Sequence, residues 1–153
     1  MEEDTTYFEL RESGNFIRIE PVELTYPNAE LEWDRNWIKS IITIKGGQFG
    51  GHYKAELMTS DFEKLKQDLK RIYIDLKGIV NFECIEGYIK LKITGDGFGH
   101  FNTKCIGMDN PNGASLQFEL DFDQTYVPAL IKQLERITKL FPITGKDFLI
   151  KNE

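Results

Sequence analysis

Short turns between apolar, alternating segments restrict the topology of this chain more than any other feature of its sequence. T-T-Y-F-E-L-R-E (5–12) and F-I-R-I-E (16–20) are joined by S-G-N, and W-I-K-S-I-I-T-I-K (37–45) and H-Y-K-A-E-L-M (52–58) flank G-G-Q-F-G-G. Alternation of apolar and polar residues predicts strands that are buried on one face. Strands joined so closely must pair antiparallel, because a parallel pair needs a crossover of about a dozen residues or more.

The second half of the chain repeats this theme. Alternating segments predict strands at 79–85, 88–94, 100–106 and 115–122. Irregular loops are expected where turn-forming residues accumulate, at 25–34 and 107–113. The tail, 143–153, is expected to add a short strand or to fray.

Each half ends in an amphipathic helix, predicted at about 60–76 and at about 124–140 from apolar residues at helical spacing. Ser60 and Glu63 have the spacing of a capping box at the start of the first helix. Gly78 is the expected stop of that helix. The second helix is expected to end before a proline that follows it.

These elements predict an α+β fold with a mainly antiparallel sheet of about seven or eight strands and both helices packed on one face. Residues 1–153 are expected to form a single domain, because a chain of this length buries roughly 70% of its unfolded surface in one core. The glycine-rich tips F-G-G-H-Y (49–53) and F-G-H-F (98–101) suggest an internal duplication. An extra strand before the second helix is expected to disturb its register.

The charge balance narrows the classes of partner. The net charge of −6 disfavours binding to nucleic acid and to anionic membranes, because both require a basic surface. No apolar run approaches the roughly 20 residues that cross a bilayer, and M-E-E-D-T-T at the start lacks the features of a signal peptide. We therefore expect a cytoplasmic protein in which Cys84 and Cys105 are reduced and buried.

No segment carries an enzyme signature. The stretch G-D-G-F-G-H (95–100) is followed by a predicted strand, whereas a phosphate-binding loop is followed by a helix, so these glycines predict a hairpin tip. His52 and His100 each follow a glycine-rich tip and could supply a general base or two metal ligands. Half-buried structural imidazoles are the simpler interpretation, and we expect no catalytic residue, metal or other cofactor.

Two acidic segments are the candidate binding surfaces. Glu119, Asp121 and Asp123 alternate along one face of a predicted strand, as a metal or glycosidase site would require. The solvated face of an amphipathic strand is the simpler interpretation. The segment W-D-R-N-W (33–37) contains a tryptophan next to acids and an arginine, residues that are typical of interface hot spots. Trp33 is expected to be partly exposed, either as a contact or as a staple for its loop.

Four segments resemble the WapI-type immunity proteins: W-D-R-N-W-I (33–38), M-T-S-D-F-E-K-L (58–65), G-D-G-F-G-H (95–100) and D-Q-T-Y-V-P-A-L-I-K-Q-L (123–134). The resemblance spans roughly residues 31 to 140, and neither the first thirty residues nor the tail contributes to it. These motifs are architectural rather than catalytic.

The resemblance implies a non-enzymatic inhibitor that binds the toxin domain of a contact-dependent, polymorphic toxin, often a basic nuclease, and masks its active site. It supplies no contact residues, so charge and exposure select them. The expected partner-binding residues are Glu30, Glu32, Trp33, Asp34, Asp121 and Asp123. The alternative is a small metal-dependent hydrolase or ligand-binding domain that uses His52 and His100. The oligomeric state stays open.

Overall fold

The structure is a computed structural model that describes residues 5–145. The strands are β1 (Phe8–Glu12), β2 (Asn15–Leu24), β3 (Trp37–Gly46), β4 (Phe49–Met58), β5 (Lys77–Glu83), β6 (Ile89–Asp96), β7 (His100–Met108) and β8 (Ser115–Asp123). The helices are α1 (Thr59–Asp75) and α2 (Val127–Leu140), and short 3-10 helices cover Glu32–Asn36 and Gln124–Tyr126. Most of the tail for which we expected a short strand or fraying lies outside the described residues.

The predicted α+β class, the antiparallel pairing and the strand number are confirmed. Within residues 5–145 the eight strands are divided between two four-stranded antiparallel sheets, β1-β2-β3-β4 and β5-β6-β7-β8. The division has a local cause, because α1 separates β4 from β5 in the chain and prevents a hairpin between them. Within each sheet, strands that follow one another in the chain are therefore also neighbours in space.

Each half described by the structure has the order of four strands and then a helix. The extra strand expected between the second glycine-tipped hairpin and the second helix is confirmed as β8. The two glycine-rich tips are not equivalent, however. The first connects the third and fourth strands of its sheet, and the second connects the second and third strands of the other sheet.

Both ends of α1 differ from the prediction. The helix begins after Met58, whose backbone N–H donates to Asp61 Oδ2 at 2.9 Å, so Asp61 rather than Glu63 closes the capping interaction. The helix ends at Leu76, which takes a left-handed conformation with φ of 60°. The predicted stop, Gly78, already belongs to β5. The chain reverses early because β5 must reach its pairing register with β6.

The core is formed by the inward faces of both sheets and one stripe of each helix. The sheets approach closely where glycines face large side chains. A Cβ atom at Gly107 would lie 2.5 Å from Ile44 Cδ1, and one at Gly46 would lie 2.8 Å from Phe118 Cγ. Tyr53 adds to this contact, since its hydroxyl donates to the carbonyl of Tyr88, directly before β6, at 2.7 Å.

The helices connect the two halves. They pack against each other, α1 also contacts β5, and α2 contacts β1. The rings of Phe62 on α1 and Phe82 on β5 have centroids 6.2 Å apart. The prediction that Cys84 and Cys105 are buried and unpaired is confirmed. Burial raises the pKa of the Cys105 thiol to about 12.

Substitution of Thr103 by valine should stabilise the fold. Thr103 is fully buried on β7, and its hydroxyl has no hydrogen-bond partner in the described part of the chain. Valine has a similar shape without the desolvated polar group, so we expect the free energy of unfolding in urea to rise by about 1 kcal/mol. Thr138→Val is the matched control, because the Thr138 hydroxyl donates to the Leu134 carbonyl at 2.9 Å. A loss of stability in Thr103→Val would contradict the prediction.

The contribution of Asp61 to the stability of the fold should fall as the pH rises from about 4 to about 6. Burial raises the pKa of Asp61 from 3.8 to about 6, although its bond to the Met58 N–H opposes the shift. The folded protein then binds a proton that the unfolded chain has released, so ionisation of Asp61 costs about 3 kcal/mol across this interval.

Asp61→Asn keeps an oxygen acceptor for the helix end and removes the charge, so the variant should lose this part of the pH dependence. Urea unfolding at several pH values is the measurement. Asp75→Asn is the control because Asp75 is exposed at the other end of α1, and it should keep the wild-type slope. Equal slopes in Asp61→Asn and wild type would refute the assignment.

Candidate functional site

A groove of about 760 Å³ lies over the exposed side of the second sheet, and we call it the Asp121 groove. Its lining residues are Thr94, Asp96, His100, Phe101, Asn102, Lys104, Asp121, Phe122 and Asp123. The predicted alternation of β8 is confirmed, since its acids are exposed and the residues between them are buried or half-buried. Asn102 Nδ2 donates to Glu119 Oε1 at 2.9 Å and to Asp121 Oδ1 at 2.8 Å, and it thereby holds two carboxylates side by side.

G-D-G-F-G-H forms a hairpin tip between β6 and β7, as the sequence predicted, and its Asp96 and His100 line this groove. Asp96 Oδ1 accepts hydrogen bonds from the backbone N–H groups of Phe98 at 2.7 Å and His100 at 3.1 Å. These bonds, together with the imidazole of His100, lower the pKa of Asp96. Hydrogen bonds from Thr125 similarly lower the pKa of Asp123. Both carboxylates are therefore charged at neutral pH.

A second groove of about 560 Å³, the Trp37 groove, lies where the loop after β2 meets the turn between β5 and β6. Its lining residues are Tyr26, Ala29, Asp34, Trp37, Glu56, Ile85 and Glu86. The groove combines elements of both sheets, because Glu56 belongs to β4 and Glu86 to the β5–β6 turn. The two grooves share no lining residue.

The predicted binding residues of the acidic loop differ in whether they line the Trp37 groove. Asp34 lines it, whereas Glu30, Glu32 and Trp33 are exposed beside it. Trp33 is 41% exposed, as expected for a partly exposed side chain. Trp37 is half-buried and contributes directly to the groove. The six predicted residues thus lie at two separate surfaces.

Hydrogen bonds to the backbone fix the conformation of the loop. The Thr25 N–H donates to the Trp37 carbonyl at 2.9 Å, and the Thr25 hydroxyl donates to Glu56 Oε2 at 2.6 Å. The Arg35 Nε–H donates to the Ala29 carbonyl at 2.7 Å. The arginine of W-D-R-N-W therefore supports the wall of the groove from within its own loop.

Asn36 fastens this loop to the end of the described chain. Its side chain is fully buried; Oδ1 accepts from the Thr144 N–H at 2.7 Å, and Nδ2 donates to the Thr144 carbonyl at 3.0 Å. Nδ2 also lies within hydrogen-bond distance of the carbonyls of Glu32 and Trp33. The Asn36 carbonyl accepts from the Thr59 hydroxyl at the start of α1. Through its side chain and its backbone carbonyl, Asn36 thus joins three separate segments.

The two histidines have different surroundings. His52 Nδ1 is 3.0 Å from the Thr43 hydroxyl on the first sheet, and His100 Nδ1 is 3.2 Å from Asp96 Oδ2 on the second. Residues 5–145 contain no group of three or more His, Cys, Asp or Glu side chains that could hold a metal ion. The hydrolase alternative therefore gains no geometric support from this pair.

Sequence reasoning missed most of the Trp37 groove. Tyr26, Glu56, Ile85 and Glu86 come from a loop, a strand and a turn that are far apart in the chain. In the sequence, Glu56 and Glu86 cannot be told from other acids at exposed strand and turn positions. The only local hint is Ile85, an apolar residue that a turn leaves 63% exposed.

The sequence model of the Immunity protein WapI-like family matches residues 8–142. The chain belongs to this family. The match extends further than the resemblance over residues 31 to 140, because the first hairpin is part of the family pattern as well. Membership in the WapI-like family implies a toxin-neutralising immunity protein, and it therefore implies a toxin protein as the binding partner. A family of this kind points to a non-enzymatic role.

The comparisons with solved structures show a similarity of fold and nothing more. No curated protein matches the chain. Among solved structures, this WapI-like protein is similar to Trypanosoma bruciei MRP1/MRP2, with 10% identity, a TM-score of 0.50, and coverage of 90% of this chain and 86% of that one. It is also similar to a guide-RNA-binding protein complex bound to a gRNA, with the same identity and TM-score, and coverage of 90% and 92%. In the part of the chain that the structure describes, no helix is long and apolar enough to cross a membrane.

Replacement of Asn36 by alanine should destabilise this WapI-like fold and release the acidic loop. The change leaves the N–H and carbonyl of Thr144 without their partner, so we expect a loss of about 2–3 kcal/mol in the free energy of unfolding. Urea unfolding followed by tryptophan fluorescence measures it. Asn28→Ala is the control, because Asn28 is exposed in the same loop. An equally small effect of both substitutions would show that the loop does not depend on Asn36.

Proposed function

We propose that this protein neutralises a basic toxin domain by covering its active site with an acidic surface, without any catalysis of its own. The observation that carries the proposal is the shared composition of the two grooves. Each places three carboxylates next to aromatic rings: Asp96, Asp121 and Asp123 in one groove, and Asp34, Glu56 and Glu86 in the other. Family membership supplies the class of partner.

Complementary charge explains how such a surface would act. An acidic patch accelerates encounter with a basic partner and disfavours acidic competitors. Aromatic rings at the centre of a contact supply most of the affinity, and the charged rim supplies specificity. A toxin domain that cleaves nucleic acid needs a basic active-site surface to hold phosphates. A nuclease is therefore the toxin class that an acidic inhibitor fits best.

The similarity in fold to a guide-RNA-binding complex does not transfer to this chain. An identity of 10% leaves the surface unrelated, and acidic grooves repel a phosphate backbone. The net charge of −6 acts in the same direction. We propose a protein partner rather than a nucleic acid.

The biological setting follows from the same proposal. The toxin domain would belong to a polymorphic, contact-dependent toxin encoded directly upstream of this gene. The immunity protein would act in the cytoplasm, where an incoming toxin domain meets its substrate. The expected binding residues are Glu30, Glu32, Trp33, Asp34, Asp121 and Asp123.

Charge reversal in the loop should weaken toxin neutralisation. Co-expression of the wild-type protein with the upstream toxin domain should restore growth. The double variant Glu30→Lys, Asp34→Lys should slow association with the purified toxin by about tenfold or more at low salt, because it turns attraction into repulsion. Growth rescue and the association rate constant are the two measurements. Asp121→Lys tests the other groove in the same way.

The control is Asp75→Lys, Glu135→Lys, which makes the same change in net charge at exposed positions on α1 and α2. This control should rescue growth like the wild type. Failure of the wild type to rescue cells from the adjacent toxin would overturn the proposed function. Equal rescue by the loop variant, the Asp121 variant and the control would reject the two grooves as the binding surface.

A further inference from the structure

The Trp37 groove differs from the Asp121 groove in its chemistry. Its ionisable lining residues, apart from Tyr26, are the three acids Asp34, Glu56 and Glu86, and no lysine, arginine or histidine lines it. The Asp121 groove contains Lys104 and His100 among its acids. The Trp37 groove is therefore the more uniformly negative of the two, and it adds two aromatic rings to that charge.

The aliphatic part of the lining extends this pattern. Ala29 and Ile85 line the groove together with the rings of Tyr26 and Trp37. A side chain that has a long apolar stem and a cationic head would contact all of these groups. The apolar residues would contact the stem, the rings would stack on the head, and the carboxylates would receive its hydrogen bonds.

The electrostatic surroundings are consistent with a cationic occupant. Partial desolvation raises the pKa of Tyr88, which follows the β5–β6 turn, and the negative charges of Glu86 and Glu56 raise it further. The carboxylates of β4 and of the turn therefore act on one region of the surface. A cation bound there would be attracted by both carboxylates.

The groove is built before any partner arrives. The Thr25 hydroxyl holds one oxygen of Glu56, Arg35 holds the Ala29 carbonyl, and the Thr25 N–H bonds to the Trp37 carbonyl. A preformed site avoids most of the entropy cost of ordering side chains on binding. Exposed apolar side chains flank it, with Tyr26 53% and Leu31 67% exposed, as the surroundings of a protein contact require.

The choice between arginine and lysine follows from the chemistry of the two cations. A guanidinium group is planar, stacks on aromatic faces and donates paired hydrogen bonds to carboxylates, whereas an ammonium group is a compact and strongly hydrated charge. Stacking against Trp37 or Tyr26 with carboxylates beside the rings favours the planar cation.

We infer that the Trp37 groove is the seat of an arginine side chain presented by the toxin domain, and that this contact is the energetic centre of the interface. The inference rests on the proposed function, because that function supplies a basic protein as partner. The Asp121 groove then steers the approach of the toxin. Of the residues that form the seat, Asp34 alone was selected from the sequence as a binding residue.

An NMR titration of the full-length protein tests the seat without the toxin. The probe is acetyl-arginine amide, and acetyl-citrulline amide serves as the neutral analogue of the same shape. Saturable shifts are expected at the indole N–H of Trp37 and at the backbone N–H groups of Ile85 and Glu86. Acetyl-lysine amide should bind at least about threefold more weakly, because its head does not stack or form paired bonds.

Two variants locate the effect. Glu86→Gln removes one charge from an exposed turn position, and combined with Asp34→Asn it should weaken binding of the arginine probe by about tenfold. Asp121→Asn is the matched control in the other groove, and it should leave the titration unchanged. Absence of saturable shifts at the groove, an equal response to the citrulline analogue, or equal binding of lysine would each overturn the inference.

The outcome is separable from that of the proposed function. Growth rescue together with no response to the arginine probe would keep the immunity role and reject the seat. A specific response to the probe together with failed rescue would keep a guanidinium-binding groove and reject the immunity role. In the toxin assay, Tyr26→Ala should weaken binding by more than about tenfold if the seat is the centre of the interface.

Discussion

The buried amide of Asn36 is the interaction on which the functional surface depends. It bonds to both backbone groups of Thr144, 108 positions away in sequence, and the main-chain carbonyl of Asn36 accepts from the Thr59 hydroxyl at the start of α1. A buried amide without these partners would be costly, because each unpaired group would have lost its water. The arrangement holds the acidic loop against the body of the protein. That loop supplies Tyr26, Ala29 and Asp34 to the Trp37 groove.

The second constraint is the close contact of the two sheets. Gly46 and Gly107 leave room for Phe118, Ile44 and Tyr53, so that the sheets approach without a gap. Tyr53 reaches across and donates to the backbone of the other sheet. This contact places the turn that carries Glu86 near Glu56 on β4. The charges of the groove thereby come from β4, from the loop before β3 and from the β5–β6 turn, and within residues 5–145 the two sheets share no backbone pairing.

Local patterns predicted the elements well and their assembly poorly. Alternation located all eight described strands, and helical spacing located both described helices to within about three residues. From the sequence, the capping interaction of α1 was assigned to Glu63 instead of Asp61, because each lies one turn after a possible first residue of the helix. Which of these first residues is used depends on where β4 stops pairing, and a local pattern does not show that. The acids of β8 were placed correctly because exposure alternates along a strand. Glu56 and Glu86 were missed because no local signal connects them.

The sequence by itself determined the α+β class, the antiparallel pairing, the hairpin tip at G-D-G-F-G-H and the resemblance to immunity proteins. Each of these rests on periodicity or on short motifs, which act within a few residues of one another. The tertiary structure decided the division into two sheets, the bond between Asn36 and Thr144, and the separation of His52 from His100. It also assembled the Trp37 groove from a loop, a strand and a turn. These features depend on which distant surfaces fit together in one core, and packing between distant segments leaves no periodic trace in the chain.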